Sequence, residues 1–394
     1  MDKIVAERII NSLECGIVPM DDVGFFTTGR ASEIEEIKIL LNDTKSGKSK
    51  LLFVHGDYGI GKTHFLALTK NEALENKFLV SHVTLTSREC PLSQMEYVYA
   101  NILKNISFKG QQSPSGFLSF LDLWLGLVNE KFKKDINKKC KHYLTYRTCS
   151  FGCVEELYCQ QIPELAKVNT DFKDAIKLYH HAIEGGNELL KDELIRWFLG
   201  EKVNLKWINI QAKNLKIYER IISDNSFIML KSIASISKIS GFSGLVILFD
   251  EAERIPSIVN VTIGYFNLIR IIYESLNLHG VCFIYATTPQ FYDDAKRHFR
   301  NFETEETKEI LKEVYQRMED ERLILSLLPK ESLITIANKI FSIYLISKGQ
   351  EDSTEIHKKW KNNMVANSRH YLECGTMREV IGKVMKDIKE LGQT

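Results

Sequence analysis

The sequence predicts an α/β fold: a parallel sheet with a phosphate-binding loop, a large α-helical insertion and a C-terminal helical lid. Three observations support this prediction. A glycine-rich loop follows an apolar run at 51–55, a second apolar run ends in two acids at 250–251, and mostly helical patterns fill the long stretch between them. Functional groups of parallel sheets collect at the carboxyl ends of the strands, so we expect the loop and the acids to meet there.

The loop after the first predicted strand has two glycines separated by four residues, followed by lysine and threonine. This pattern lets backbone N–H groups wrap a phosphate, while the following helix directs its positive end at the same anion. Lys62 would place its charge on the β- and γ-phosphates, and the Thr63 hydroxyl would bind Mg²⁺. The loop residues predicted to bind nucleotide are Gly56, Asp57, Tyr58, Gly59, Ile60, Gly61, Lys62, Thr63 and His64.

The second apolar run, residues 244–249, ends in Asp250 and Glu251. A continuous run of this length indicates a central parallel strand that is buried on both faces. Asp250 is predicted to hold Mg²⁺, and Glu251 to orient and activate the attacking water as a general base. An Asp-Glu pair alone is structural as often as it is functional, so the assignment depends on the presence of the phosphate-binding loop in the same chain.

A third strand, predicted over 281–286, ends in Thr287-Thr288-Pro289. In ATPases with an extra strand between the loop strand and the carboxylate strand, a polar residue at this end senses the γ-phosphate. Thr287 or Thr288 fits that role. The alternative is that both are turn residues before a proline. A further strand, predicted over 78–85, carries no obvious chemistry.

Five segments follow from these patterns: N-terminal helices with the base-side segment (1–50), the first part of the core (51–108), the helical insertion (109–240), the second part of the core (241–328) and the lid (329–394). The turn-forming residues 109–116 mark the start of the insertion. Further helices are predicted over 117–132, 154–166, 172–183, 187–198, 212–240 with a break near Ser223, 290–320, 331–347, 353–372 and 376–391.

The 394 residues carry a net charge of +1 and have a pI of about 7.6, which argues against a dedicated polyanion binder. The basic stretches 131–139 and 357–361 are interpreted as solvated helix faces, with nucleic-acid contact as the alternative. No apolar run approaches the roughly 18 residues of a membrane span, and the N-terminus lacks the apolar region of a signal peptide. We therefore expect a cytoplasmic protein without membrane contact.

Four of the eight cysteines cluster with a histidine in the insertion. Their spacing does not match the paired knuckles of most structural zinc sites, so free thiols are the favoured interpretation and zinc is the alternative. The cluster is Cys140, Cys149, Cys153 and Cys159, with His142 nearby.

Two short motifs resemble the AAA+/STAND branch of P-loop ATPases. Residues 28–33 contain Gly29 and Arg30 and resemble the box that helps to seat adenine in that branch. Residues 375–379 resemble the start of the last lid helix, where Arg378 would reach the γ-phosphate. The resemblance implies an AAA+-like parallel-sheet P-loop ATPase core that binds ATP and Mg²⁺.

More narrowly, the chain resembles the BREX-system ATP-binding domain family of prokaryotic anti-phage defence operons. One departure is Met377, where the family usually has proline; Arg378 remains. The chain ends soon after this helix, so we expect no winged-helix DNA-binding domain. The matching segments are 16–19, 55–65, 72–81, 88–92, 197–201, 241–253 and 285–290.

This resemblance implies an ATP-hydrolysing motor or switch in an anti-phage complex, with other defence-system proteins, such as a helicase, as partners. In a homo-oligomer, a neighbouring subunit would add an arginine to the site. Arg317 is the favoured candidate, with Arg297 and Arg300 as rivals, and the alternative is that all three make only surface ion pairs.

Two other functions stay open at this point. The chain is alternatively a nucleotide-gated scaffold with little turnover that recruits partners through its insertion, although the presence of both Asp250 and Glu251 argues against this. A DNA-loading factor is the weaker alternative, and salt-dependent DNA binding would support it.

Overall fold

A six-stranded sheet forms the centre of the computed structural model, which describes residues 1–111, 116–126, 168–211, 215–257, 260–349, 358–360, 362 and 374–392. The strands lie in the order β3-β2-β4-β5-β1-β6, and every neighbouring pair is parallel except β2 and β3. This confirms a mixed α/β fold with a mostly parallel sheet. The strands are β1 (Lys50–His55), β2 (Leu79–Thr84), β3 (Ile106–Ser107), β4 (Leu245–Asp250), β5 (Val281–Thr287) and β6 (Arg322–Ile324).

Strand β5 lies between the loop strand β1 and the carboxylate strand β4. His55 pairs with Thr287, and on the other side Thr84 of β2 pairs with Asp250, so the functional ends of the strands lie at one edge. All residues of β4 and β5 are buried. Their unbroken apolar runs follow from this burial on both faces of the sheet.

Helices cover both faces of the sheet. Asp2 and Asn169 cap two of them, each accepting a hydrogen bond from a backbone N–H in the first turn. Residues 117–126 are also helical. The helices are α1 (Lys3–Glu14), α2 (Ala31–Lys45), α3 (Lys62–Glu75), α4 (Met95–Lys104), α5 (Thr170–Glu184), α6 (Glu188–Phe198), α7 (Leu205–Gln211), α8 (Ser223–Ile239), α9 (Val261–Glu274), α10 (Pro289–Phe299), α11 (Lys308–Asp320), α12 (Lys330–Lys348) and α13 (Met377–Gly392).

The prediction of a helix from residue 212 is wrong for residues 215–222, whose backbone is not helical. The N–H groups of Tyr218 and Glu219 both donate to the Asp171 carboxylate, and Asn209 hydrogen-bonds the backbone N–H and C=O of Ile217. Side chains from α5 and α7 thus supply the partners that a helix would otherwise provide.

Three apolar clusters organise the described residues. One face of the sheet shares a core with the described insertion residues, including Phe172 and Trp197. The opposite face packs against α2 and α3. Helices α1, α12 and α13 form a third cluster. The described part of the insertion therefore packs on the sheet and has no separate core.

Several sequence predictions lie outside the described residues: the four-cysteine cluster, the basic stretch 131–139 and the helix 154–166. Of the helix predicted over 353–372, only 358–360 and 362 are described, and these are helical. Among the helices that the structure describes, we find none of the length and apolarity that a membrane crossing requires.

Candidate functional site

The predicted phosphate-binding loop connects β1 to α3. Gly59 and Gly61 have φ angles of +78° and +104°, in the region that favours glycine. Gly61 is the N-cap of α3, so the first N–H groups of this helix lack intrahelical partners and face the loop. An anion placed in the loop would meet those donors and the positive end of the helix.

Lys62 lies inside this loop and is only 8% exposed. Its Nζ donates to the carbonyl oxygens of Gly56 at 2.9 Å and Asp57 at 3.1 Å. Burial lowers the pKa of Lys62, and the nearby carboxylates, Glu253 foremost, act in the opposite direction. The ammonium is thus held inside the loop by two backbone carbonyl groups.

Asp250, at the end of β4, is 6% exposed and lies on the wall of the same cavity. Its Oδ1 accepts a hydrogen bond from the Glu251 N–H at 2.9 Å, and its Oδ2 lies 4.0 Å from His82 Nε2. Burial lowers the pKa of His82, which favours the neutral imidazole. Among the described residues, the Asp250 carboxylate therefore has the His82 ring within 4.0 Å and forms no ion pair with a lysine or arginine.

Glu251 has a φ angle of +60°, which is uncommon for a residue with a side chain. Its Oε2 accepts a hydrogen bond from Arg254 Nε at 2.8 Å, and this contact raises the pKa of Arg254. Backbone strain of this kind clusters at active sites, where surrounding structure maintains it. The carboxylate is therefore held in place by a neighbouring side chain.

Glu253 is a third carboxylate that the sequence reasoning missed. Its Oε2 is buried with no hydrogen-bond partner among the described residues, and burial raises its pKa. It lines the cavity together with Lys62, Asp250 and Glu251. The signal in the sequence that could have identified Glu253 was the acid-rich run Asp250-Glu251-Ala252-Glu253. The 3₁₀ turn after β4 brings its second glutamate back toward the loop.

These groups line a cavity of about 740 Å³. Its other walls come from the segment 13–30 and from α13. A volume of this size is typical of a small-molecule or cofactor site. The apolar side chains that line the cavity include Leu13, Ile17, Val18, Pro19, Phe26, Ile336, Ile381 and Met385.

Gly29 and Arg30, the predicted base-side residues, attach the N-terminal segment to residues 326–332. Arg30 donates to Glu33 Oε1 and to the Ser326 carbonyl oxygen, both at 2.7 Å. Gly29 has a φ angle of +77°, and a Cβ there would lie 2.5 Å from Ser332 Oγ. Arg30 lines the cavity, but these hydrogen bonds occupy most of its guanidinium. Its role is therefore to shape the wall of the cavity.

His64, predicted to bind nucleotide, contacts this same segment. Its Nε2 lies 2.8 Å from Thr27 Oγ1, and its ring packs against Phe26 with centroids 5.2 Å apart. Burial lowers the pKa of His64 to about 4. The first turn of α3 is thereby fixed to the wall of the cavity by a neutral imidazole.

This burial predicts a pH dependence of stability. The unfolded chain binds a proton at His64 below about pH 6.5, whereas the folded chain does so only near pH 4, so stability is lost as the pH falls between these values. We expect a loss of about 2 kcal/mol from this residue, after allowance for its partial exposure. Urea unfolding at pH 7 and pH 5 measures it. A His64→Gln variant, which cannot titrate, should show a smaller loss; an equal loss would contradict the assignment.

Arg378, the arginine expected to reach the γ-phosphate, lies at the start of α13 against the loop between β1 and α3. It donates a hydrogen bond to the Tyr58 hydroxyl, and its guanidinium lies 4.9 Å from the centre of the Tyr58 ring. Both residues line the cavity. A role at the γ-phosphate stays a prediction, since the arginine now contacts an aromatic ring.

Thr287 and Thr288 do not line the cavity. The Thr287 side chain is fully buried and its hydroxyl donates to the Val54 carbonyl oxygen at 3.3 Å, with Tyr292 Oη at 3.4 Å. Thr288 occupies the N-cap position of α10, before Pro289. These contacts favour the structural alternative, in which both threonines end the strand and begin the next helix.

The contacts of Arg317 do not support its expected role as an arginine supplied to a neighbouring subunit. Its guanidinium is buried and donates to both carboxylate oxygens of Glu321, at 2.9 and 3.1 Å. It also donates to the Ile272 carbonyl and to Ser275 Oγ. The side chain therefore joins α9 to α11 inside the core, unlike the exposed Arg300.

We expect Arg317→Ala to destabilise the protein by about 3 kcal/mol, because it leaves the Glu321 carboxylate partly buried and without its partner. Urea unfolding of this variant, with Arg300→Ala as a matched control, measures the effect. Arg300→Ala should change stability by less than about 0.5 kcal/mol. An Arg317→Ala protein as stable as the parent would show that the buried pair contributes nothing.

The Mg²⁺ expectation rests on one hydroxyl and one carboxylate, Thr63 and Asp250, which both line the cavity. Within the described ranges, we find no group of three or more histidine, cysteine, aspartate or glutamate side chains arranged to hold a metal. A metal at this site would therefore need further ligands from a bound phosphate or from water, as Mg²⁺ commonly does.

Comparison with known proteins gives one assignment. No curated protein matches the chain. The family model described as "BREX system ATP-binding protein BrxC/D" matches residues 1–391, which include every residue of the cavity. This match confirms the resemblance inferred from the sequence motifs. The chain belongs to the family of BREX system ATP-binding proteins BrxC/D.

Proposed function

We propose that this defence-associated ATP-binding protein hydrolyses ATP with Mg²⁺ and acts as a switch or motor for the other proteins of its BREX system. The observation that carries the proposal is the position of Lys62, Asp250 and Glu251 on the wall of one cavity, beside a glycine loop at a helix N-terminus. These groups match what phosphoryl transfer needs, which is positioning and charge neutralisation.

The residues present fit both ATP and Mg²⁺. The loop supplies N–H donors and a buried ammonium for phosphates, and the apolar side chains of the cavity suit a base. Asp250 uses Oδ1 for a backbone bond, and Glu253 has a buried oxygen with no partner among the described residues. When bound, Mg²⁺ would draw charge from the phosphate oxygens.

The chain's own groups would act in sequence. Lys62 would exchange its two carbonyl partners for phosphate oxygens, which are stronger acceptors because they are charged. Glu251 would orient a water and take its proton on a carboxylate oxygen. Arg254 now donates to one of those oxygens, so the proton would go to the other or the Arg254 contact would open.

The sheet order supports an AAA+-like core, because β5 lies between the loop strand and the carboxylate strand. Helix α13 would act as part of the lid, since it lines the cavity and its start contacts the loop. In an oligomer of such cores, a neighbouring subunit would complete each site. The exposed Arg297 and Arg300 are better placed for that role than the buried Arg317.

Equilibrium binding of ATP, ADP and AMP to the purified chain tests the proposal. We expect one nucleotide per chain, with AMP at least about tenfold weaker than ATP because the loop contacts only the outer phosphates. Release of inorganic phosphate from bound ATP then separates hydrolysis from binding. Equal affinities for ATP and AMP would contradict the assignment of the loop.

A nucleotide-gated scaffold is the second candidate. The Glu251–Arg254 bond favours it, because a carboxylate engaged by arginine is less available to activate water. The scaffold predicts stoichiometric ATP binding without phosphate release. The Arg254→Ala variant, which frees the Glu251 carboxylate, separates the scaffold from the ATPase. A scaffold should still release no phosphate, whereas the turnover of an ATPase should rise or stay unchanged.

A further inference from the structure

Tyr58 lies in the phosphate-binding loop, and its side chain is 62% exposed. Its hydroxyl accepts a hydrogen bond from Arg378, and the same guanidinium lies over its ring at 4.9 Å. Phosphate wrapping uses backbone N–H groups, so it does not require a large ring at this position. The ring therefore has a second use, as a contact for α13.

Two further contacts join the start of α13 to the loop. The Arg378 N–H donates to the Gly59 carbonyl oxygen at 3.4 Å. Thr376 packs so closely that a Cβ on Gly59 would lie 2.8 Å from Thr376 Cβ. Gly59 is therefore needed for the approach of α13 as well as for its φ of +78°. With the Tyr58 contact, two residues of the helix start, Thr376 and Arg378, rest on two residues of the loop.

We propose that Tyr58 is a positioning residue that docks the start of α13 onto the phosphate-binding loop and places Arg378 at the phosphate end of the cavity, so that the position of α13 and nucleotide affinity are coupled. The proposal deepens the proposed function and rests on it for the nucleotide, although the docking contact itself is present in the chain alone.

The physical basis of the coupling is the shared loop. A phosphate bound by the loop N–H groups fixes the loop backbone, which presents Tyr58 and the Gly59 carbonyl to α13. Coupling between two contacts is reciprocal, so docking of α13 strengthens nucleotide binding by the same factor by which bound nucleotide strengthens docking. Because the Tyr58 ring is largely exposed even in the docked state, opening the contact exposes little additional apolar area to water. The contact is therefore reversible.

Three single variants test the docking. Tyr58→Ala removes the ring and the hydroxyl, Tyr58→Phe keeps the ring, and Tyr218→Ala is the matched control because Tyr218 is similarly exposed (70%) in the segment 215–222, away from the loop. Amide hydrogen exchange of residues 376–381 is measured first without nucleotide. We expect exchange in Tyr58→Ala to rise roughly threefold to tenfold, with Tyr58→Phe between it and the parent.

ATP affinity is measured next, in a cycle with Arg378→Ala. We expect Tyr58→Ala and Arg378→Ala each to weaken ATP binding roughly threefold to tenfold, and the double variant to be no weaker than either single one, because both remove the same contact. AMP affinity should not change, since AMP does not reach the arginine.

Unchanged exchange at 376–381 in Tyr58→Ala would overturn the docking, whatever the nucleotide result. Additive losses of ATP affinity in the double variant would overturn the coupling. Failure of the parent protein to bind ATP would overturn the proposed function and the coupling, while the exchange result without nucleotide would still decide whether Tyr58 docks α13.

Discussion

Glu251→Gln is expected to lower ATP turnover by about 10³-fold while ATP binding stays within about twofold of the parent. Glutamine keeps the size of the side chain and its hydrogen bond to Arg254, but it cannot accept a proton from water. A general base contacts the attacking water and not the phosphates, so ATP binding should not depend on this carboxylate. Single-turnover phosphate release and equilibrium ATP binding, measured on the same preparation, check both halves.

Glu36→Gln is the matched control, because Glu36 is an exposed glutamate on α2, outside the cavity. It should leave both quantities unchanged. Turnover in Glu251→Gln within about tenfold of the parent would assign the proton to another group, and Glu253 would be the first to examine because its buried oxygen faces the same cavity.

Lys62→Ala is expected to weaken ATP binding by at least about hundredfold, or roughly 2.7 kcal/mol. The variant removes a buried ammonium from the place where the β- and γ-phosphates would lie, and no other cationic side chain hydrogen-bonds the carbonyl oxygens of Gly56 and Asp57 among the described residues. AMP binding should change little. Equilibrium binding with ATP and AMP measures the difference between the two nucleotides.

Lys70→Ala, on the same helix, is the matched control, since Lys70 bonds to Asp21 at 2.9 Å outside the loop. Circular dichroism and thermal unfolding of each variant establish that the fold is retained. Should Lys62→Ala bind ATP as well as Lys70→Ala does, the loop would not be the phosphate site.

The parts of the fold that the sequence predicted are those with a strong local signal. The strand before Gly56, the helix after Lys62 and the buried strand before Asp250 each follow from a short run of residues. The juxtaposition of Lys62 and Asp250 could also be predicted, because parallel strands bring their carboxyl ends to one edge. The local sequence and the shared direction of parallel strands were sufficient to predict these features.

Other features depend on contacts between distant residues, which a single sequence does not reveal. The helical pattern around Arg317 gave no sign that this face packs against α9. The backbone at 215–222 depends on Asp171, which is more than forty residues away. Thr287 was placed at the correct strand end, but the direction of its side chain, toward Val54, is set by strand pairing.

The cavity wall formed by the N-terminal segment also depends on contacts between residues that are distant in the sequence. Arg30 reaches the Ser326 carbonyl, and Lys339 Nζ donates to the Thr27 carbonyl at 2.7 Å, so residues about 300 positions apart form one wall. The motif around Gly29 could indicate a base-side segment only through its resemblance to a known family. Its attachment to α12 came from the structure.

Steady-state phosphate release, measured with Mg²⁺ over a range of protein concentrations for the parent, Lys62→Ala and Glu251→Gln, tests ATP hydrolysis at this site. We expect release by the parent, rising more than in proportion to protein if subunits share sites, and loss of release in both variants. Stoichiometric ATP binding with no phosphate release at any concentration, or equal release by the parent and Glu251→Gln, would contradict it.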